Sequence, residues 1–164
     1  MRTTKQIIFY TDHRYNFKSS VRAQKKLASI SSYLKIPIIS VSLKKLAFGD
    51  KNIYFPHFKQ GDQFLYKEIL SGLENSRADI VYLCSPDVLY TPSHFEYTPD
   101  NQNFFYFNTN ITKNPSKEIA TLSGSRSLLI DYFKKLAKNP VKNPKTAFLK
   151  TRFYKSFEPL KMMA

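Results

Sequence analysis

The sequence has one cysteine, four glycines and no tryptophan. Its lone cysteine, Cys84, excludes an intramolecular disulfide and a zinc site built from several cysteines of one chain. The few glycines leave no glycine-rich phosphate loop after the first predicted strand, which argues against a generic dinucleotide-binding protein. We therefore expect a chain that folds without disulfides in a reducing, cytoplasmic setting.

Long hydrophobic runs are also missing. No stretch approaches the roughly 18 apolar residues of a membrane span, and residues 1–6 are polar with no apolar signal-peptide core behind them. Hydrophobic residues still make up 42% of the 164 positions, which is enough to build one packed core. These features predict a soluble protein with no membrane span.

Acidic residues are scarce and unevenly placed, with 12 Asp and Glu against 26 Lys and Arg. Residues 1–46 carry ten basic residues and one acid (+9), residues 47–133 carry seven and ten (−3), and residues 134–164 carry nine and one (+8). Two basic ends attract polyanions such as nucleic acid, anionic lipid or phosphorylated glycans, with an affinity that falls as salt rises. The alternative is that the lysines serve solubility alone.

Alternating strands and helices are predicted over the first half of the chain. Apolar runs predict buried strands at residues 5–11, 36–43 and 79–85. Helical spacing predicts an amphipathic helix that begins at Ser19 or Ser20, and a second helix that begins at Asp62. Residues 49–61 are aromatic-rich and broken by turn residues, which indicates a loop. This order predicts an α/β, Rossmann-like fold with a mostly parallel central sheet flanked by helices.

The second half is less regular. We predict a strand at residues 103–110, a helix capped by Ser123, an edge strand at residues 147–154 and a frayed C-terminus. The domain is expected to cover residues 1–136, and residues 137–164 are expected to form a basic extension packed on it or trailing from it.

The loops at the carboxyl ends of the predicted parallel strands bring Asp12, Asp87 and His94 to one edge of the sheet. A carboxylate directly after a buried strand can hold Mg²⁺ or Mn²⁺ together with the oxygens of a diphosphate. Asp87 is the best candidate for this role. The alternatives are a turn-forming or capping aspartate behind Pro86 and, for His94, a packed structural histidine.

The run from Ala78 to Phe95, ADIVYLCSPDVLYTPSHF, resembles the central segment of a group of family-2-like glycosyltransferases. That group reads D-I-V-x-x-x-E-H-D-V-L-Y-x-P-S-H-F there, and the likeness extends over residues 5–136. It implies a glycosyltransferase-A fold, a nucleotide-sugar donor (UDP-sugar favoured), Mn²⁺ or Mg²⁺, and transfer of a hexose or pentose to a hydroxyl. Ser85 replaces the first acid of the motif and Pro86 replaces its histidine.

The resemblance also implies roles for individual residues. Asp87 takes the position of the final acid of the motif, and His94 is the second candidate metal ligand. The predicted donor-binding residues are Thr11, Asp12, Ser42, Lys67, Asp87, Asn108, Asn110 and Arg126. Independently of the resemblance, an inverting transfer needs a carboxylate that deprotonates the acceptor hydroxyl. Glu96, Asp100, Glu118 and Asp131 are all available and the sequence does not choose between them; Asp131 and Glu118 are the predicted catalytic residues.

For the acceptor, the short and basic chain favours hydroxymethylated DNA, as some phage enzymes use, or an anionic surface glycan. The protein would then be a shortened, phage DNA-modifying type that acts in the host cytoplasm. The alternative is a non-catalytic nucleic-acid-binding module that has kept the fold.

Overall fold

The central strand β1, Lys5–Thr11, is buried on both faces because its apolar side chains alternate between two cores. Ile8 and Tyr10 face one core, and Ile7 and Phe9 face the other. A computed structural model describes residues 2–112, 118–140 and 150–163. Within these residues β1 pairs in parallel with strands on each side, as the continuous apolar run predicts.

Seven strands form the main sheet, in the order β3-β2-β1-β4-β8-β6-β9. Besides β1, their bounds are β2 Ile38–Ser42, β3 Lys51–Tyr54, β4 Ile80–Cys84, β6 Phe105–Asn108, β8 Leu122–Ser125 and β9 Thr151–Tyr154. Strands β3, β2, β1 and β4 are mutually parallel, β8 is antiparallel to both of its neighbours, and β9 is parallel to β6. The prediction of an α/β fold with a mostly parallel central sheet is confirmed.

Helices cover both faces of this sheet. On one face, α2 (Asp62–Asn75) and α4 (Arg126–Lys138) pack against each other and against the core that contains Ile8 and Val41. On the other face, α1 (Phe17–Leu34) buries Leu27 and Ile30 in the second core. The short helix α3 (Pro92–Glu96) places Phe95 in that same core.

Three local predictions are wrong. Residues 51–54 form strand β3 within the predicted loop. Hydrogen bonds to β2 stabilise this strand, and its broken sequence pattern does not predict them. Helix α1 begins at Phe17, since the Asn16 side chain accepts the backbone N–H groups of Lys18 and Ser19. Ser123 lies inside β8, and Ser125 is the residue that caps α4.

The C-terminus is not frayed, against the prediction. Strand β10, Leu160–Met162, lies between β5 (Val88–Leu89) and β7 (Ile111–Thr112) in a small three-stranded sheet. The apolar side chains of Leu160 and Met162 are buried in the α1-side core. Residues 137–164 therefore contribute one strand to each sheet.

Among the described residues, no helix is both long enough and apolar enough to cross a bilayer.

Candidate functional site

Five polar residues are buried where β1, β2 and β4 end. They are Thr11, Asp12, Ser42, Ser85 and Asp87, all at most 4% exposed. Because the three strands are parallel, their carboxyl ends meet at one edge of the sheet, where open α/β sheets bind ligands. The structure thus brings Asp12 and Asp87 to the edge where the sequence predicts a site.

Asp87 is held by its neighbours on and after β4. The Ser85 hydroxyl donates to Asp87 Oδ1 at 2.5 Å and also hydrogen-bonds the phenol of Tyr10. The Asp87 carbonyl accepts the N–H of Met163 at 2.8 Å, so the small sheet fixes the backbone at this point. Burial, with a contribution from Asp87, raises the pKa of Tyr10 well above its usual value. The phenol is neutral at physiological pH, and because the Ser85 proton is directed at Asp87, the Tyr10 O–H is the donor in its hydrogen bond with Ser85.

Asp87 is the carboxylate that the sequence predicts as a metal ligand. The described part of the chain contains no cluster of three or more His, Cys, Asp or Glu side chains that could bind a metal alone. Mg²⁺-type sites for nucleotides use one or two carboxylates, with water and phosphate oxygens completing the shell. The role of Asp87 as a metal ligand stays a prediction.

A second group of charged side chains surrounds Asp12. Its carboxylate forms an ion pair with Arg14 and accepts the backbone N–H groups of Arg14 and Gly61, at 3.2 and 3.4 Å. Arg14 extends to Asp62 at 3.3 Å, which joins the loop after β1 to the start of α2. Asp12 and Arg14 thus connect the loop after β1 to the start of α2 at this edge of the sheet.

Glu68 is a buried carboxyl in this group that the sequence analysis does not select. It is fully buried, and both of its oxygens lack a hydrogen-bond partner among the described residues. Burial, with a contribution from Asp12, raises the pKa of Glu68 to about 8, against an opposing effect of Arg14. Glu68 therefore carries a proton at neutral pH.

The close approach of α2 to the sheet explains this burial. A Cβ atom at Gly72 would lie 2.9 Å from Ile8 Cγ2 and 3.3 Å from Val41 Cγ2. Glu68 lies one turn earlier on the same helix, so the contact that Gly72 permits also covers Glu68. In the sequence, the only hint that Glu68 is buried is the glycine four residues later on the same helix face. That hint is weak, because the close contact at Gly72 is known only from the structure.

His94 lies in an aromatic cluster with Tyr82, Tyr90, Phe95 and Tyr154. Its Nδ1 atom is 3.0 Å from the side-chain amide nitrogen of Asn108 and 3.0 Å from the Tyr154 hydroxyl. Full burial lowers the pKa of His94 to about 3, which keeps the ring neutral. Because the Asn108 amide nitrogen can only donate, Nδ1 accepts and the proton of the neutral ring lies on Nε2, which has no hydrogen-bond partner among the described residues. Its predicted role as a metal ligand stays a prediction.

Asn108 and Asn110 hold the segment that leads to β10. The Asn108 amide donates to Ser156 Oγ at 2.9 Å, and the Asn110 amide donates to the Ser156 carbonyl at 2.7 Å. Ser42 is likewise engaged locally, because its hydroxyl donates to the Lys44 carbonyl at 2.7 Å. These contacts give the three residues structural partners in addition to their predicted roles in donor binding.

The remaining predicted residues lie in different places. Lys67 is on α2 with its ammonium 5.5 Å from the centre of the Phe64 ring. The Arg126 guanidinium donates to the Leu73 carbonyl, and the Arg126 backbone N–H donates to Asp79 O at the amino end of β4, at the opposite end of that strand from Asp87. The predicted role of Arg126 in donor binding stays a prediction.

The two predicted catalytic carboxylates are not placed at Asp87 by the described contacts. Asp131 is exposed on α4. The side chain of Glu118 lies outside the described residues. Their catalytic role stays a prediction.

No protein-family model matches the sequence, and no curated protein matches it. Solved structures do share the fold. A glycosyltransferase involved in glycosylation of the major capsid of PBCV-1 superposes with a TM-score of 0.64 at 6% identity, covering 98% of this chain and 93% of that one. A mutant of Drosophila β1,4-galactosyltransferase 7, in complex with manganese, UDP-Gal and xylobiose, gives 0.59 at 8% identity, covering 99% and 71%.

A nucleotidyl transferase from Methanothermobacter is also similar in fold, with a TM-score of 0.53 at 12% identity, covering 98% of this chain and 88% of that one. The bifunctional IspDF of Campylobacter jejuni gives a TM-score of 0.59 at 16% identity over 94% of this chain, and the chain spans 50% of the length of that protein. The fold is therefore of the glycosyltransferase-A type, with nucleotidyltransferases among the structures that share it.

Proposed function

We propose that this protein is a glycosyltransferase that moves a sugar from a nucleotide-sugar, a UDP-sugar in the first instance, to a hydroxyl acceptor. The observation that carries the proposal is the position of Asp87, a buried carboxylate that directly follows a parallel strand at the ligand-binding edge of this fold. Galactosyltransferase 7, whose fold is similar, was solved with manganese and UDP-Gal.

Each part of the edge has a task in this proposal. Asp87 would hold Mn²⁺ or Mg²⁺, which neutralises charge on a departing nucleoside diphosphate. His94 is the second candidate, and its ring would have to carry its proton on Nδ1 to bind the metal through Nε2. Tyr10 and Ser85 orient the Asp87 carboxylate through the Ser85 hydroxyl. Thr11 and Asp12, at the end of β1, lie where the nucleotide would bind.

The acceptor belongs to the same proposal. The basic segments 1–46 and 134–164 favour a polyanion, with hydroxymethylated DNA ahead of an anionic glycan. If the acceptor is DNA, label from a UDP-sugar enters modified duplex, and incorporation falls as salt rises. Transfer to saccharide acceptors alone would exclude DNA as the acceptor.

The test of the donor site is release of UDP from UDP-sugars with Mn²⁺, compared between the wild type and Asp87→Asn. Asparagine keeps an oxygen that can accept from Ser85 but removes the charge that would hold the metal. We expect release by the wild type and a loss of at least about 100-fold in the variant. Glu74→Gln, which removes an exposed carboxylate from α2, is the matched control. Equal rates in wild type and Asp87→Asn would refute the role of Asp87.

A second candidate, a non-catalytic nucleic-acid-binding module, is favoured by one observation. Ser85 is hydrogen-bonded to Asp87 at the position where the resembling family has another acid, so one charge is missing from the site. This candidate predicts nucleic-acid binding without UDP release or nucleotide binding.

A further inference from the structure

Helix α1 has a continuous basic stripe on its exposed side. Its four cations Lys18, Arg22, Lys25 and Lys26 are all exposed, and the helix contains no acidic residue. At 3.6 residues per turn these cations and Tyr33 fall within about 100° of arc around the helix. We call these five residues the α1 basic stripe.

The cations of the stripe are not neutralised within the described part of the chain. None of the four forms an ion pair there. Lys18, Arg22 and Lys26 follow each other at i, i+4 spacing, where like charges repel and weaken a helix. An anion that covers the stripe would remove this repulsion, so the stripe is suited to an anionic partner.

The stripe leads into a basic cleft at the end of α1. The chain leaves the helix through Lys35, which is in the left-handed conformation with φ 55°, and enters the wall of a cleft of about 790 Å³. The charged residues that line this cleft are Arg2, Lys5, Lys35, Arg77 and one acid, Glu96. The Lys5 ammonium is fixed in the wall, since it donates to the Phe95 carbonyl at 2.7 Å.

We propose that the α1 basic stripe and this cleft together bind a nucleic-acid strand. Helix α1 has 18 residues and is therefore about 27 Å long, which corresponds to about eight nucleotides at 3.4 Å per step. Tyr33 is 75% exposed on the stripe and offers a ring on which a base can stack. An anionic membrane would instead need a row of apolar residues beside the cations. Helix α1 exposes two large apolar side chains, Phe17 and Tyr33, and they lie at its opposite ends rather than in a row.

This binding surface extends beyond the proposed donor site. Helix α1 begins six residues after Thr11, so its first turn lies at the sheet edge that carries Asp12, and it runs back to the cleft at the opposite edge. A nucleic-acid strand bound along α1 would thus pass the proposed donor site at the end of the helix near Asp12. Binding is measured without a nucleotide-sugar, so its outcome is independent of whether sugar transfer occurs.

The test is fluorescence anisotropy of a labelled single-stranded DNA long enough to cover α1, titrated with protein at several salt concentrations. The test variant is Arg22→Gln with Lys26→Gln. The matched control is Lys134→Gln with Lys138→Gln, which removes the same charge at the same spacing from the exposed side of α4. We expect the α1 pair to weaken binding at least about tenfold and to reduce the slope of log K against log salt by about two, whereas the α4 pair stays close to wild type.

Variants of Tyr33 test base stacking separately from charge, because they change the affinity for DNA without changing the charge of the protein. Tyr33→Ala should weaken binding of the single strand about fivefold or more through lost stacking, and Tyr33→Phe should retain it. Equal losses in the α1 and α4 pairs would show a response to net charge alone and would overturn the proposal. So would absence of DNA binding, or binding of phosphatidylserine vesicles in its place. Thermal melts of every variant verify that it is folded.

Discussion

At the scale of single residues, the carboxyl groups of Asp12, after β1, and Glu68, on α2, differ in their environment. Asp12 pairs with Arg14 and accepts two backbone N–H groups. Glu68 has no such partners among the described residues and holds its proton because it is buried. The protonated Glu68 carboxyl can therefore donate a hydrogen bond, whereas the Asp12 oxygens are occupied as acceptors.

Glu68 predicts an unusual dependence of stability on pH. Its folded pKa of about 8 is above the ordinary value of 4.5, so between these pH values the unfolded chain loses a proton that the folded chain keeps. The free energy of unfolding therefore falls as pH rises from about 4.5 to about 8, and the loss is complete above the folded pKa. Asp12 and Arg14 are the charged groups that act on Glu68 in the folded state.

The Glu68→Gln variant removes this proton while keeping a donor and an acceptor. We expect its Tm to rise relative to wild type as pH increases from 5 to 8, by about 2–4 °C for each kcal/mol regained. Thermal melts across that range measure the difference, with the exposed Glu74→Gln on the same helix as control. Parallel Tm curves for Glu68→Gln and wild type would contradict the buried, protonated state of Glu68.

At the scale of secondary-structure elements, the cap of α1 is the first testable feature. Asn16 Oδ1 accepts the N–H of Lys18 at 2.9 Å and that of Ser19 at 3.4 Å. Asn16→Ala should lower the free energy of unfolding by about 1 kcal/mol, whereas Asn16→Ser, which can still cap, should lose a few tenths. Urea denaturation compares the two, and equal losses would show that the cap is not the cause.

The contact between α2 and the sheet is the second testable feature at this scale. In Gly72→Ala the added methyl group meets Ile8 Cγ2 at 2.9 Å, a buried branched side chain that cannot rotate away. The cost of overpacking, about 1–3 kcal/mol, exceeds the gain of about 1 kcal/mol in helix propensity, so we expect a net loss of stability. The neighbouring Ser71→Ala gains propensity without this contact and should be neutral or stabilising. A stabilised Gly72→Ala would contradict the close packing.

The elements that the sequence predicts correctly are those specified by their own pattern. The strands at 5–11 and 80–84 each contain a continuous apolar run, and α2 repeats apolar residues at helical spacing. The strands missed or misplaced, β3, β5, β7, β8 and β10, have two to four residues each and are defined by the strands beside them. Because their partner strands are distant in sequence, the residues of these short strands show no local hydrophobic pattern that would predict a strand.

The residues of the candidate site also fall into two groups, those that a local sequence pattern predicts and those that it does not. Asp12 and Asp87 follow strongly patterned strands, so the rule for parallel sheet edges finds them. Glu68 and the contacts of Arg126 depend on how helices pack across the sheet, and these contacts follow from packing geometry rather than from a sequence motif. His94 shows the same limit, because its aromatic environment joins α3 to β6 and β9.

At the scale of the whole molecule, the acidic middle of the chain supplies Asp87, and both basic ends contribute to the same sheet edge. The segment 150–163 supplies β9 and β10, and Met163 N–H binds the Asp87 carbonyl. The N-terminal segment supplies Asp12 and the α1 basic stripe. The arrangement combines, within the glycosyltransferase-A fold, a basic surface with an edge that carries the carboxylates of Asp12 and Asp87.

The binding of UDP with Mn²⁺ at Asp87 is the most direct test of this account. Thermal melts of wild type, Asp87→Asn and Glu74→Gln are recorded with UDP and Mn²⁺, and with EDTA in place of the metal. We predict a rise in Tm for wild type and Glu74→Gln that EDTA abolishes, and no rise for Asp87→Asn. An equal rise in Asp87→Asn, or no rise in wild type with any nucleoside diphosphate, would contradict a donor site at Asp87.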